Sequence, residues 1–226
     1  MAEFEWPEDL APYKVMFYLQ PHVGGSESPF TRVRKVYGLS APRWIARMVF
    51  RAGYDGVPVR DDQGGYGPRL DSLVADLQGG LNLTRFHDWR RPVPLRPIYA
   101  QRELTYLAAS VGSSSVRIAG FSPNAIALSV GDYLGGDGRP HLTSRAETLA
   151  AGGRLVGAGG IMADDSGVVT VGFNPPLSAA IAAGLPLRWP VTGLFELTSE
   201  DAGQNETEVG QPTEYTLDFV ESLHGA

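Results

Sequence analysis

Histidines and acidic residues are the side chains in this sequence that could support catalysis or bind a metal ion. The four histidines are His22, His87, His141 and His224. They lie far apart and lack the short spacing of zinc ligands. His87-Asp88 could form a catalytic pair, but its position beside Phe86 and Trp89 favours a surface hydrogen bond at the end of a strand.

Three acidic segments could offer oxygen ligands to a hard cation such as Ca²⁺. Asp132 and Asp137 flank a glycine-rich stretch, and Asp61-Asp62 and Asp164-Asp165 resemble it in composition. None has the twelve-residue calcium-loop pattern with a terminal Glu. We therefore predict tight turns at these positions, with Ca²⁺ binding as the alternative.

Motifs for nucleophilic catalysis and phosphate binding are absent from the sequence. No Gly-x-Ser-x-Gly string occurs. Gly152-Gly153 and the glycines of 157–160 are not followed by Gly-Lys-Ser/Thr, and they suggest a β-hairpin instead. The chain has no cysteine, which excludes disulfides and thiolate metal sites. The sequence therefore predicts no catalytic residue, no metal site and no cofactor, and we expect a protein that is not an enzyme.

Alternation of apolar and polar residues predicts that strands dominate the chain. Trp44, Ala46, Met48 and Phe50 share one face of a strand, and a strand over 214–220 points Tyr215, Leu217 and Phe219 inward. The other predicted strands are 13–19, 30–37, 81–86, 115–119, 125–130, 141–149, 153–161, 167–173, 185–189 and 193–198.

One amphipathic helix is predicted over about 68–79. Leu70, Leu73, Val74 and Leu77 form a single apolar stripe, and Gly79-Gly80 ends it. The expected fold is mainly β, a β-sandwich with this one short helix. We expect a single domain over 1–226, with a subdivision into 1–97 and 98–226 packed together as the alternative.

Charge is spread unevenly along the chain. The net charge of −6 and pI near 5.2 argue against a sequence-reading nucleic-acid binder. Basic residues cluster early and acidic residues cluster late, which fits either solvated faces or complementary surfaces for self-assembly. Trp89 is predicted to be exposed, able to stack on a sugar or anchor a protein neighbour. The candidate interface residues are Arg32, Arg34, Lys35, Trp89, Arg90, Arg91, Glu206 and Glu208.

The sequence lacks signals for export or membrane insertion. The acidic N-terminal segment has neither the basic nor the apolar region of a signal peptide, and no apolar run is long enough to cross a bilayer. We therefore expect synthesis in the cytoplasm and no membrane insertion.

Several short motifs, taken in order, resemble the distal tail proteins of siphophages. They are Gly-Asp-Tyr-Leu at 131–134, Ala-Asp-Asp-Ser-Gly at 163–167, Val-Thr-Val at 169–171, Pro-Pro-Leu at 175–177 and Gly-Leu-Phe-Glu-Leu at 193–197. The predicted helix followed by Gly80-Leu81-Asn82-Leu83-Thr84-Arg85-Phe86 also resembles a stretch of that family. The resemblance covers most of the chain.

The resemblance implies a structural ring, hexameric in that family, that joins the tail tube to the baseplate hub. The implied partners are other copies of the chain, the tail tube protein and the baseplate hub protein. The tape-measure protein and DNA would pass through the lumen without sequence-specific binding. The implied location is the tail tip of the virion, assembled in the host cytoplasm. A carbohydrate-binding or receptor-binding β-sandwich module is the alternative function.

Overall fold

The computed structural model describes residues 1–52, 67–204 and 213–223, and the described chain is mainly β. The strands are β1 Glu3–Glu5, β2 Lys14–Glu27, β3 Arg34–Ala52, β4 Leu83–His87, β5 Leu104–Tyr106, β6 Ser115–Ala119, β7 Ile126–Ser129, β8 Tyr133–Leu134, β9 His141–Thr143, β10 Arg154–Val156, β11 Gly160–Met162, β12 Val168–Asn174, β13 Pro186–Leu187, β14 Thr192–Leu197 and β15 Thr213–Glu221. The helices are α1 Gly67–Leu77 and α2 Arg145–Ala150, with 3₁₀ turns at Gln78–Gly80 and Pro97–Gln101. The predicted mainly β fold with a short amphipathic helix is confirmed.

The chain divides into two compact units. The first unit contains residues 1–89 and 194–222, and the second contains 90–193 together with the chain end from 223. The first boundary lies near the subdivision considered at 97/98. The return of the chain to the first unit at 194 had no signal in the sequence.

The first unit is built on a six-stranded sheet in the order β1-β4-β14-β15-β3-β2. The alternation of apolar and polar residues predicted the central strands of this sheet correctly, because one face of each strand is packed. In the ladder between β3 and β15, Phe50 pairs with Tyr215 and Met48 pairs with Leu217, and all four side chains are buried. Burying a large apolar side chain contributes about 1.5–3 kcal/mol, so this face supplies much of the unit's stability.

Aromatic rings fill the core beneath this sheet. Phe86 and Phe195 stack with their ring centroids 4.0 Å apart, and Phe17 stacks on Trp44 at 5.0 Å. Trp6 meets the edge of Phe86 at 5.5 Å. Helix α1 buries Leu70, Leu73 and Leu77 and ends at Leu77, directly before Gln78-Gly79-Gly80, where φ is positive. The predicted helix and its stop are therefore confirmed.

The second unit contains two sheets around an apolar core. A six-stranded sheet has the order β13-β5-β6-β12-β9-β8, and a three-stranded sheet has the order β10-β11-β7. Strand β12 buries Val169, Val171 and Phe173, and strands β7 and β11 add Leu128 and Ile161 to the same cluster. This arrangement is consistent with the predicted β-sandwich.

Two predicted strands of the second unit are wrong in part. The strand predicted over 141–149 ends at Thr143, and helix α2 follows it. Thr148 explains the helix. Its buried hydroxyl accepts a hydrogen bond from the N–H of Gly172 at 3.0 Å and donates one to the carbonyl of Gly172 at 3.2 Å, and these two bonds hold α2 on β12. The strand predicted over 153–161 is a hairpin, with Val156 and Gly160 opposite each other across its turn.

The described residues contain no helix with the length and apolar character needed to cross a membrane.

Candidate functional site: an extended arm of the first unit

Strands β2 and β3 extend beyond the sheet as a two-stranded projection. Their ladder begins with Lys14 opposite Val49 and continues to Glu27 opposite Arg34. The half nearest the core is packed, as buried Phe17 and Trp44 indicate. Beyond the pair Gln20 and Arg43, every residue is exposed or only half-buried. We call residues 21–42 the arm.

The sequence predicted two separate strands here, over 13–19 and 30–37. The structure corrects both, because β2 continues to Glu27 and β3 begins only at Arg34. Residues 30–33 belong to the turn that joins them. The arm has no buried face, and therefore the apolar alternation that marks a packed strand is impure in this segment.

The arm begins where the ladder changes register. Gln20 pairs with Arg43, His22 with Ser40 and Val23 with Gly38, so β3 contributes an extra residue at each of two steps. Such bulges bend a strand and increase its twist. His22 Nδ1 lies 2.7 Å from Ser40 Oγ at this point, beside a cavity of about 350 Å³. The arm is thus joined to the sheet through an irregular root.

Two consecutive glycines shape the middle of the arm. A β-carbon on Gly24 would lie 2.8 Å from the ring of Tyr37, the residue opposite it in the ladder. The ring of Tyr37 therefore occupies the space that a side chain at Gly24 would take. The side chain of Arg34 approaches Gly25 in a similar way, at 3.3 Å from the position of its missing β-carbon. These contacts give the arm internal order without a core.

The tip of the arm is an ordered turn that displays an aromatic ring. The N–H of Arg32 donates to the carbonyl of Ser28 at 2.9 Å, and the N–H of Ser28 donates to the carbonyl of Val33 at 3.1 Å. Arg32 has φ of +54° within this turn. Phe30 stands at the apex with 95% of its surface exposed.

The arm combines exposed apolar side chains with positive charge. Arg32, Arg34 and Lys35, predicted as interface residues, are all exposed on it and form no ion pair with the described parts of the chain. With one acidic residue, Glu27, the arm has a net charge of +2. Its exposed large apolar residues are Val23, Phe30, Val33, Val36, Tyr37 and Leu39.

The remaining predicted interface residues are not part of the arm. The prediction that Trp89 is exposed is wrong, because its half-buried ring packs against Trp6 at 5.3 Å and Phe86 at 5.5 Å. Arg90 is exposed in the second unit. Arg91 is half-buried there, and it donates to the carbonyl of Gly131 at 2.8 Å. Glu206 and Glu208 lie outside the described residues.

Asp137 and His141 form a buried polar pair in the second unit that the sequence did not predict. His141 Nε2 lies 2.7 Å from Asp137 Oδ1, and its Nδ1 lies 2.7 Å from the carbonyl oxygen of Pro175. Both ring nitrogens of His141 therefore face oxygen atoms that can accept a hydrogen bond. The Oδ2 of Asp137 accepts the N–H of Ser178 at 2.7 Å and its hydroxyl at 2.9 Å.

Opposing effects set the pKa of Asp137. Burial alone would raise the pKa, but the hydrogen bond and charge of His141 and the bonds from Ser178 outweigh burial and lower the pKa to about 2. These hydrogen bonds connect the segment of Asp137 and His141 to the segment of Pro175 and Ser178. Ser178 bonds the carboxylate and not the imidazole, and both ring nitrogens are occupied, so the three side chains do not form a nucleophile-base relay.

The acidic segments adopt the turn geometry that the sequence favoured. Asp132 accepts the N–H groups of Ser129 and Leu95, both at 2.7 Å, and burial raises its pKa. Asp164 accepts the hydroxyl and N–H of Ser166 and the N–H of Val168, contacts that lower its pKa. Asp61-Asp62 lies outside the described residues. Across 1–52, 67–204 and 213–223, no three His, Asp or Glu side chains gather as a metal site would require.

The interpretation of His87-Asp88 as a surface pair also needs correction. Asp88 is buried, with 3% of its surface exposed, and His87 is half-buried. Burial lowers the pKa of His87, although the charge of Asp88 opposes this shift. His87 stacks beside Trp89 at 5.0 Å, so the pair belongs to the edge of the aromatic core.

An open cleft of about 510 Å³ lies in the second unit along the ladder between β5 and β13. Its polar lining includes Arg102, Glu103 and Arg188, and Trp189 borders it. The indole N–H of Trp189 donates to the carbonyl of Tyr133 at 2.9 Å, which fixes the ring. A fixed indole beside polar side chains is a setting in which a sugar could bind.

No protein-family model matches the sequence, and no curated protein matches it either.

Proposed function

We propose that this protein is a structural subunit of a bacteriophage tail tip. In this role, copies of the chain assemble into a ring, six-membered by the resemblance, that joins the tail tube to the baseplate hub. The observation that carries the proposal is the arm, an ordered projection whose large apolar and basic side chains are exposed.

The arm is a hairpin that has no core of its own. A two-stranded hairpin alone is marginally stable in water. This arm nevertheless exposes six large apolar side chains. Apolar patches of this kind on a folded protein mark surfaces that bind another molecule. A projection from one subunit that enters a surface of the next is also suited to a closed ring, because ring contacts are head-to-tail.

Charge is compatible with a lumen through which DNA moves. The chain has a net charge of −6, so a ring of copies has a net negative charge and as a whole repels phosphate groups. Passage of DNA or of the tape-measure protein then requires no sequence-specific contact. The tail tube protein and the baseplate hub protein are the neighbours in this role, and the site of action is the virion.

Electron microscopy provides the test. Negative-stain images of the purified full-length protein should contain annular particles with six-fold symmetry. Gold-labelled antibody should decorate the tail tip of virions from the phage that encodes the chain. Monomeric protein at all concentrations, or label on the capsid, would contradict the proposal.

A carbohydrate-binding module is the second candidate function, and the cleft beside Trp189 is the observation that favours it. In that case a glycan array should give binding that Trp189→Ala removes. An array without any positive sugar would argue against this alternative and leave the ring proposal untouched.

A further inference from the structure

We infer that the arm of one copy binds the β1 edge of the first unit of the next copy. This inference rests on the proposed ring and names the two surfaces that meet in it. The β1 edge consists of strand β1 and the residues that follow it up to Asp9, together with the side chains that contact them.

Charge selects the first unit as the partner of the arm. Outside the arm, the first unit has seven basic and eighteen acidic residues, a net charge of −11. The second unit has nine basic and six acidic residues, a net charge of +3. A basic arm is therefore attracted to the first unit of another copy and repelled by the second unit.

Within the first unit, the β1 edge matches the arm in both charge and apolar character. It presents Glu3, Glu5, Glu8 and Asp9, all exposed. Arg85 lies 3.2 Å from Glu3 and 3.7 Å from Glu5, and Arg69 pairs with Asp9. Two guanidinium groups thus offset four carboxylates, which leaves a net charge of −2 against the +2 of the arm. Phe4 adds exposed apolar surface.

The strand order of the sheet allows a head-to-tail contact between the arm and the β1 edge. Strands β2 and β1 are the opposite edges of one sheet, so the arm leaves from one edge and the β1 edge lies at the other. Contacts between unlike edges of successive copies can repeat around a ring and close. A symmetric contact of arm with arm would instead bring Arg32, Arg34 and Lys35 of two copies together, which like-charge repulsion disfavours.

A charge-swap mixture of two full-length variants tests this pairing. The first variant is Arg32→Glu/Arg34→Glu/Lys35→Glu, which makes the arm acidic. The second is Glu3→Lys/Glu5→Lys, which makes the β1 edge basic. Each variant alone repels itself at every contact, whereas an equimolar mixture can alternate around the ring with every arm facing an edge of opposite charge.

Sedimentation velocity distinguishes the outcomes. We expect each variant alone to lose assembly at least tenfold, measured as the concentration needed for half-assembly, and the mixture to recover it. If the mixture does not assemble while the wild type forms rings, the pairing is overturned but the proposed ring is not. Unchanged assembly of the arm variant would also overturn the pairing. A wild type that never assembles would remove both the pairing and the proposed function.

The control variant changes the same number of charges elsewhere. Arg117→Glu/Arg145→Glu/Arg154→Glu reverses three exposed arginines of the second unit. It should assemble like the wild type. Loss of assembly equal to that of the arm variant would show that net charge alone is responsible, and this result would overturn the pairing.

A crosslink provides a second readout that does not depend on charge reversal. The chain has no cysteine, so Arg34→Cys and Glu5→Cys introduce the only thiols. Under mild oxidation, mixed copies should give a covalent dimer containing one of each variant. A product formed only between two Arg34→Cys copies would overturn the pairing.

Discussion

The two halves of the β2–β3 hairpin share one hydrogen-bonded ladder but differ in what surrounds their side chains. The half nearest the core buries Phe17, Trp44 and Phe50 against aromatic neighbours, and the arm buries no large side chain. The packed half holds the sheet together. The arm adds little to the stability of the subunit, because exposed side chains contribute almost no apolar burial. This difference is the reason why we propose that the arm binds a surface of another copy.

The largest expected effect is a difference between the packed half and the arm in their contributions to the free energy of unfolding. Trp44→Ala removes a buried indole, and we expect a loss of about 3–5 kcal/mol in the free energy of unfolding. Tyr37→Ala, the matched change in the arm, should alter it by less than about 1 kcal/mol. Urea denaturation followed by intrinsic fluorescence measures both. Equal losses would contradict the distinction between the packed half and the arm.

Removal of the arm should separate folding from assembly. Replacing residues 21–42 by Asn-Gly joins Gln20 to Arg43, which already pair, through a turn suited to a hairpin. We expect the subunit to fold and to remain monomeric. Phe30→Ala alone should weaken assembly by about 2 kcal/mol, the scale of an interface anchor. Circular dichroism and sedimentation velocity report folding and mass, and full assembly without the arm would contradict its role.

The buried charge of Asp137 and the exposed charges of the arm should respond differently to pH and to salt. The pKa of Asp137 is lowered from its ordinary value of 3.8 to about 2 in the folded state. Its stabilisation, about 2 kcal/mol, is therefore complete above pH 4 and is lost as the pH falls from about 4 to 2. Urea unfolding between pH 2 and pH 5 measures this loss.

Two variants sharpen this prediction. Asp137→Asn should remove the acid-dependent loss attributed to this carboxylate, whereas Asp165→Asn, at an exposed position of the turn over 164–167, should keep it. Added salt should change the loss little, because the pair is buried. Salt should instead weaken assembly through the exposed arm. Identical pH profiles for wild type and Asp137→Asn would contradict the role of the pair.

The smallest expected effect concerns order within the arm. Gly24→Val places a side chain where the ring of Tyr37 now lies, so that ring must move. We expect unfolding of the subunit to change by less than about 0.5 kcal/mol, with a modest loss of assembly. Gly38→Val, opposite Val23 and with open space around its missing β-carbon, is the control and should leave assembly nearly unchanged.

Sequence patterns predicted the parts of the fold that have a packed face. The period of Trp44, Ala46, Met48 and Phe50 and the stripe of Leu70, Leu73 and Leu77 arise from burial on one side, and both were correct. Helix α2 was missed because its position depends on Thr148 bonding a strand that lies 24 residues further along the chain. Local sequence does not contain that contact.

The candidate site was predictable only in part. The basic residues Arg32, Arg34 and Lys35 were identified by their clustering, and the structure places all three on the arm. The arm itself was not predicted, because a hairpin without a buried face leaves no clean alternation in the sequence. Trp89 was misassigned as exposed because nothing in its neighbourhood indicates that Trp6, eighty-three residues earlier, packs against it.

Hydrogen exchange of backbone amides tests the central claim most directly. Peptides covering residues 22–40 and 43–50 should be compared in dilute monomer and in concentrated assembled protein. We predict that the arm exchanges fast in the monomer and becomes protected on assembly, whereas 43–50 is protected in both states. An arm that exchanges as slowly as 43–50 in the monomer, or that gains no protection on assembly, would contradict the claim that it is a surface for another copy.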